Sequence, residues 1–152
     1  MEIFRVAFIG HRVLSDIRKV EDELEKHIFD LLRSKEYVEF YMGRNGDFDI
    51  CAASAVKRVQ KKMGRENNSL ILVLPYSNQD ANYLAQFYDE IQYPVSPDTH
   101  FKAAVGERNK WMIENCNELV AYVEHSHGGA YTAYQFALKQ EKQILNLAEN
   151  RK

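Results

Sequence analysis

Glycines and polar side chains that could do chemistry gather at four points of the chain. These are Gly10-His11-Arg12, Gly43-Arg44-Asn45-Gly46-Asp47-Phe48-Asp49, Pro75-Tyr76 and His127-Gly128-Gly129. A glycine pair that opens a helix leaves backbone N–H groups unhindered, and the helix dipole adds partial positive charge. Gly128-Gly129 can therefore hold an anion, in the way phosphates are held. Arg12 and Arg108 carry a planar guanidinium suited to bidentate recognition of phosphate or carboxylate. Asp47 and Asp49 can supply a carboxylate for acid–base work, or simply cap the helix that follows them. Gly10 and Gly43, each taken alone, are accounted for by a tight strand-to-helix turn. His125-x-His127 has the look of a metal pair, but no third ligand accompanies it, so both read as loop histidines. Cys51 stands in a first helical turn, where a thiol pKa can fall. A small buried residue is the simpler account. The residues call for neither a metal ion nor a cofactor.

The elements that must position these groups alternate along the chain. Ile3 to Gly10 reads as a strand, because Val6-Ala7-Phe8-Ile9 is continuously apolar, as in a strand buried on both faces. From Asp16 to about Arg33 the apolar residues Ile17, Val20, Leu24, Ile28, Leu31 and Leu32 recur at helical spacing, with Ser15 placed to cap the first turn. Glu36 to Met42 is the second strand, and a second helix runs from about Phe48 to Met63 with Gly64 marking its end. Ser69 to Leu74 is the clearest strand. Asp80 to Asp89 can form a short helix before an edge strand or turn at Tyr93-Pro94-Val95, where proline removes a ladder donor. Thr99 to Asn115 reads as helix, with Gly106 a point at which it could split. On that helix Val105, Met112 and Ile113 bring the inner stripe close to Arg108 and Asn109, whereas Glu107 and Lys110 mark a solvated face. Glu118 to Val123 is a strand, Gly129 to Gln140 a helix, and Gln143 to Leu147 a closing strand.

Strands that alternate with helices predict a mostly parallel, doubly wound α/β sheet with right-handed crossovers and helices on both faces. In such a sheet ligands bind beyond the carboxyl ends of the strands, where strand order reverses. The four clusters all fall at that end. Their conjunction favours a phosphate-bearing small molecule over four independent turns.

Composition narrows the partners. Lys plus Arg number 20 and Asp plus Glu 22, a net charge of −2 that argues against a bulk polyanion. Cys51 and Cys116 alone make neither a disulfide framework nor a four-Cys zinc site. No apolar run is long enough to cross a bilayer, and Met1-Glu2-Ile3-Phe4-Arg5 lacks a signal region. The expectation is one soluble cytoplasmic domain over residues 1–152. There is no Gly-x-Gly-x-x-Gly after the first strand, no Gly-x-x-x-x-Gly-Lys-[Ser/Thr] loop and no Gly-x-Ser-x-Gly elbow. Dehydrogenase, kinase and α/β-hydrolase readings lose their main support.

Taken in order, several runs resemble the SLOG superfamily and its YpsA-like branch. They are Gly10-His11-Arg12, Gly46-Asp47-Phe48-Asp49 with Ala52, and Leu72-Val73-Leu74-Pro75-Tyr76. Arg108-Asn109-Lys110-Trp111-Met112-Ile113, Gly128-Gly129 and Ile144-Leu145-Asn146-Leu147 continue the series. The resemblance covers nearly the whole chain. It implies a Rossmann-like fold, a nucleotide-derived ligand such as ADP-ribose or an NAD-like molecule, and a dimer or higher homo-oligomer. The superfamily includes the LOG phosphoribohydrolases, which cleave the N-glycosidic bond of nucleoside monophosphates, and the DNA-processing protein DprA. LOG enzymes use a Pro-Gly-Gly-x-Gly-Thr-x-x-Glu loop. The matching run here is His127-Gly128-Gly129-Ala130-Tyr131-Thr132-Ala133-Tyr134-Gln135. Both early glycines and Thr132 are kept, whereas Tyr131 replaces the third glycine and Gln135 the catalytic Glu. Glutamine carries no charge to stabilise an oxocarbenium-like centre or activate water, a group typically worth about 10²–10⁴-fold in rate.

Three functions follow, in descending order. The first is binding or sensing of a nucleotide-derived ligand. Gly10, Gly128, Gly129 and Thr132 would hold phosphate, Arg12 and Arg108 neutralise it, and Tyr76 or Tyr131 stack on the base. His11, Gly43, Gly46, Pro75 and Asn109 complete that set. The second is N-glycosidic hydrolysis with Asp47 or Asp49 as the carboxylate. The third is single-stranded DNA binding by Lys57, Arg58, Lys61, Lys62 and Arg65, which the net charge of −2 disfavours.

Overall fold

The alternation of apolar residues explains both layers of the structure, a computed structural model that describes residues 1–150. The elements run β1 (Ile3–Gly10), α1 (Ile17–Ser34), β2 (Tyr37–Met42), α2 (Asp47–Met63), β3 (Asn68–Val73) and α3 (Ala81–Leu84). They continue with β4 (Glu90–Gln92), α4 (Phe101–Glu114), β5 (Glu118–Tyr122), α5 (Gly129–Lys139), β6 (Gln143–Asn146) and a 3-10 turn at Leu147–Asn150. The strands form one six-stranded sheet in the order β4-β3-β2-β1-β5-β6, and every neighbouring pair is parallel.

Successive strand residues point to opposite faces, so each central strand feeds two cores. Phe8, Phe40, Met42, Leu70, Leu72 and Tyr122 join Val20, Leu24 and Ile28 of α1 and Ala52, Val56 and Val59 of α2. Ala7, Ile9, Tyr41, Ile71, Val73 and Ala121 join Met112 and Ile113 of α4 and Ala133 and Ala137 of α5. The sheet is thus doubly wound, and the middles of its central strands are continuously apolar because neither face meets water there.

The local differences from the sequence expectation have physical causes. Asp16, not Ser15, caps α1, its carboxylate accepting from the Lys19 N–H at 3.3 Å. Helix α4 runs unbroken through Gly106, where a methyl group would meet nothing within 4 Å. Strand β4 lies before Pro94 rather than across it. Its ladder needs Asp89 N–H to Leu70 O (2.8 Å) and Leu74 N–H to Gln92 O (2.9 Å), and proline has no N–H to give.

Chain order reverses beside β1. From β1 the chain winds outward through β2 and β3 to the edge strand β4, and α4 then returns it to β5 on the other side of β1. Gly10 is level with Tyr122 across that pair, so the two following loops leave the sheet at the same height. Asn146 fixes the second of them. Its carbonyl oxygen accepts from Val123 N–H (3.0 Å) while its amide donates to Val123 O (2.9 Å).

Both thiols belong to the cores: Cys51 is 2% and Cys116 4% exposed. Burial pushes each thiol up to about 11. At pH 8 neither should react with a thiol reagent until the protein unfolds, because nucleophilicity resides in the thiolate. Time-resolved labelling with and without denaturant checks this; rapid labelling of the native protein contradicts it.

Candidate functional site

Loops after β1, β2 and β5, together with one face of α4, enclose a cleft of about 410 Å³ at the carboxyl ends of β1 and β5. This is the position that a reversal of strand order predicts for a ligand. Gly10, His11, Arg12, Gly43, Asp49, Arg108, Asn109, Gly128 and Gly129 all line it, so most of the residues singled out in the sequence meet here. Asn45, Val105, Met112, His125 and His127 line it as well.

Arg108 dominates the electrostatics. It is the largest fully buried side chain among the described residues, at 2% exposed. Its Nε donates to Asn109 Oδ1 (2.9 Å) and its Nη1 to the Val73 carbonyl (2.8 Å). Among the described residues it has no ion pair, and Nη2 has no protein acceptor. Burial lowers its pKa, with Asp49 and Tyr76 opposing that effect. An arginine starts so far above neutrality that it stays charged. The helix explains how the charge comes to be inside: Arg108 stands four residues after Ala104 and four before Met112, in the middle of the buried stripe.

Three glycines prove to be places where other parts of the protein come close. A methyl on Gly43 would lie 2.5 Å from Arg108 Nη1, and one on Gly10 would lie 2.5 Å from Phe48 Cγ. One on Gly46 would strike the Arg12 backbone. Gly46 is not in the cleft. It lets the start of α2 grip the β1–α1 loop, where Asp47 N–H donates to Arg12 O (2.8 Å) and Leu14 N–H donates to Asp47 Oδ2 (3.0 Å). Asp47 thus has a clear positional role outside the cleft wall. Asp49 is in that wall and buried, with Oδ2 accepting from Asn45 N–H at 2.7 Å. Burial raises its pKa, against the pull of the Asn45 N–H and Arg108.

The opposite wall is the β5–α5 loop. Gly128 precedes α5 with φ +92°, a left-handed conformation that favours glycine, and no side chain caps the helix. Backbone N–H groups from Ser126 to Tyr131 have no acceptor among the described residues. Such a run of free donors at a helix start, facing a buried guanidinium, is suited to an anion. Thr132 turns its hydroxyl back onto Gly128 O (3.1 Å), and Tyr131 packs with the core shared by α4 and α5. Neither lines the cleft. Pro75 and Tyr76 line a neighbouring cavity of about 320 Å³, which includes Asn45 and so adjoins the first.

The basic stretch on α2 is elsewhere. Arg58 pairs with Glu21 (2.7 Å), Lys62 with Glu25 (3.8 Å) and Arg65 with Asp89. Lys57 lies over the Phe87 ring (4.8 Å) and joins Lys61 and Arg65 in lining a separate cavity of about 410 Å³.

Solved structures share this architecture. DNA processing protein A (DprA) from Streptococcus pneumoniae matches 93% of the chain with a TM-score of 0.69 at 15% identity. The molybdenum cofactor carrier protein from Chlamydomonas reinhardtii matches 97% with a TM-score of 0.64 at 16% identity. The chain shares the fold of these proteins. DprA from Helicobacter pylori, whose structure describes a single-stranded DNA binding mode, matches 93% of the chain with a TM-score of 0.64 at 14% identity. The chain spans 49% of the pneumococcal protein and 63% of the Helicobacter one. No protein-family model and no curated protein matches the chain by sequence. No helix among the described residues is long and apolar enough to cross a membrane.

Proposed function

We propose that the chain, as a SLOG protein of the YpsA-like branch, binds a small anionic ligand derived from a nucleotide in the cleft between β1 and β5. Arg108 carries this reading: a buried cation without an ion pair costs folding energy unless a counter-charge arrives. The uncapped N–H groups at Gly128–Tyr131 would share the anion, and Arg12 at the rim would add a second guanidinium. A cleft of about 410 Å³ falls within the usual range for small-molecule sites. Tyr76, in the adjoining cavity and 54% exposed, offers a ring on which a base could stack. The carrier protein among the structural neighbours agrees with a binding role of this general kind. Calorimetric titration with nucleoside monophosphates, ADP-ribose and NAD tests it. Saturable heat from at least one is expected, and silence from all at millimolar concentration sinks it.

Asp49 favours a second reading, N-glycosidic hydrolysis. A carboxyl whose pKa is raised in the cleft wall could protonate a leaving base, and Gln135 leaves that task unfilled. Release of free base, lost on Asp49→Asn, is the outcome this requires. Single-stranded DNA binding ranks third, since carboxylates already hold Arg58, Lys62 and Arg65. An unshifted DNA band at low salt disposes of it.

A further inference from the structure

We propose that His11 is a proton-sensitive positioning residue: neutral, it holds the β5–α5 loop against the β1 loop, and protonation releases that wall of the cleft. The inference rests on the anion-cleft reading above and adds a condition under which the cleft is assembled.

Two hydrogen bonds carry it. His11 Nε2 accepts from the backbone N–H of Glu124 (2.9 Å) and from that of His125 (3.2 Å). A ring nitrogen accepts only through a free lone pair, so Nε2 must be unprotonated and the ring neutral with its proton on Nδ1. Asn146 holds the first residue of the loop, Val123, and beyond Val123 few backbone bonds hold it. Among the described residues the N–H groups of Ser126, His127 and Gly128 have no acceptor. His11 itself is set at the end of β1, its own N–H donating to Tyr122 O (3.2 Å) and its ring edge-on to Tyr122. One imidazole therefore links the two strands at the point where the ligand crevice opens.

A proton on Nε2 would turn the acceptor into a donor facing two donors, and both bonds would be lost. The charged and titratable groups around the ring set the pH at which this step falls. From the β5–α5 loop come His125, with ring centroids 4.8 Å apart, then His127 and Glu124. Tyr122 faces it from β5 and Arg12 follows it in its own loop, while Asp49 from α2 and Arg108 from α4 line the same cleft. Burial and the two neighbouring histidines disfavour the imidazolium, against Glu124, and hold His11 below the ordinary histidine value of about 6.5. The sign follows from linkage. A base depressed in the folded state stabilises the closed loop above its unfolded pKa, and that contribution vanishes as pH falls through the folded pKa.

The lock reverses what bare electrostatics would give. Positive charge gained beside the cleft in acid would by itself make an anion bind more tightly as pH falls. Release of the loop makes it bind more weakly. Sulfate is the probe, because its double charge does not change between about pH 5 and pH 8. Sulfate titrations followed by amide NMR should show wild-type affinity falling about tenfold over that range, the loss of two hydrogen bonds at the loop. His11→Gln places a non-titrating oxygen where Nε2 was. Its affinity should lack the fall toward low pH that wild type shows. His11→Phe keeps the bulk without an acceptor and should bind weakly throughout. Without any anion, the Glu124 and His125 amide signals should move with pH much further in wild type than in His11→Gln. Wild-type affinity that rises steadily toward low pH, or amide signals at 124 and 125 that move no further with pH than in His11→Gln, overturns the lock. If those signals titrate but sulfate perturbs nothing from Gly128 to Tyr131 at any pH, the lock stands and the anion-cleft reading falls.

Discussion

Arg108→Met should abolish binding of an anionic ligand while leaving the fold standing. The expectation separates two roles that a buried charge usually confounds. Arg108 is 2% exposed, lines the cleft and has no ion pair among the described residues. A desolvated cation is costly, and exchanging one for an apolar side chain of similar length is often neutral or stabilising. Methionine fills such irregular space well. Against this stands the bond from Nη1 to the Val73 carbonyl (2.8 Å), whose loss leaves an acceptor without its partner, at about 1–3 kcal/mol. The two effects oppose each other, so the midpoint of chemical denaturation should move little. Binding has no such compensation. Removing one partner of a buried charge pair costs about 3 kcal/mol, more than a hundredfold in Kd. Arg108→Lys keeps the charge but not the fork, and should fall between the two. Calorimetry beside a denaturation curve reads both quantities. A Met variant that binds like wild type would remove the basis of the proposed function.

What the sequence made legible divides along the range of the interactions concerned. The strands β1, β3 and β5 were readable because burial on both faces writes itself as unbroken apolar runs, Val6–Ile9, Leu70–Val73 and Leu119–Val123. Their alternation with helices carried the doubly wound sheet and the edge on which polar clusters would meet. The sequence points to Tyr93-Pro94-Val95 for the edge strand and β4 is Glu90–Gln92, because three residues leave too little pattern to stand out beside the prolines. Arg108 was ambiguous. Glu107 and Lys110 beside it are outward, and only the spacing Ala104–Arg108–Met112 reveals the buried stripe. The glycines gave the weakest signal. Gly43 is empty of side chain because Arg108, 65 positions away, occupies the space; nothing local to Gly43 records that. His11 read as a loop residue for the same reason, since its partners lie 113 and 114 residues further on. His125 and His127 read as loop histidines and are so, yet they line the cleft.

The contact between Gly43 and Arg108 makes a further test, and one of non-additivity. Gly43→Ala should cost about 1–3 kcal/mol of stability, the usual range for overpacking a filled interior. The new methyl would sit 2.5 Å from Arg108 Nη1 and 2.8 Å from Cζ. The guanidinium cannot simply swing aside, because it is buried and tied to Val73 and Asn109. It should also lose its aim at the cleft, so anion affinity falls along with stability. In an Arg108→Ala background the atoms that the methyl would strike are gone, and the methyl enters the space they leave. There Gly43→Ala should be nearly neutral, and the double-mutant cycle should return a coupling of about 0.5–3 kcal/mol. Two other glycines separate crowding from backbone strain. Gly129→Ala meets nothing within 4 Å and replaces a poor helix former with a good one, so stability should hold or rise. Gly128→Ala also meets open space, but its φ of +92° penalises any side chain, so stability should fall without steric contact. Additive energies for the pair at 43 and 108, measured by denaturation of the four proteins, would mean that Gly43 is kept for its turn and not for the arginine above it.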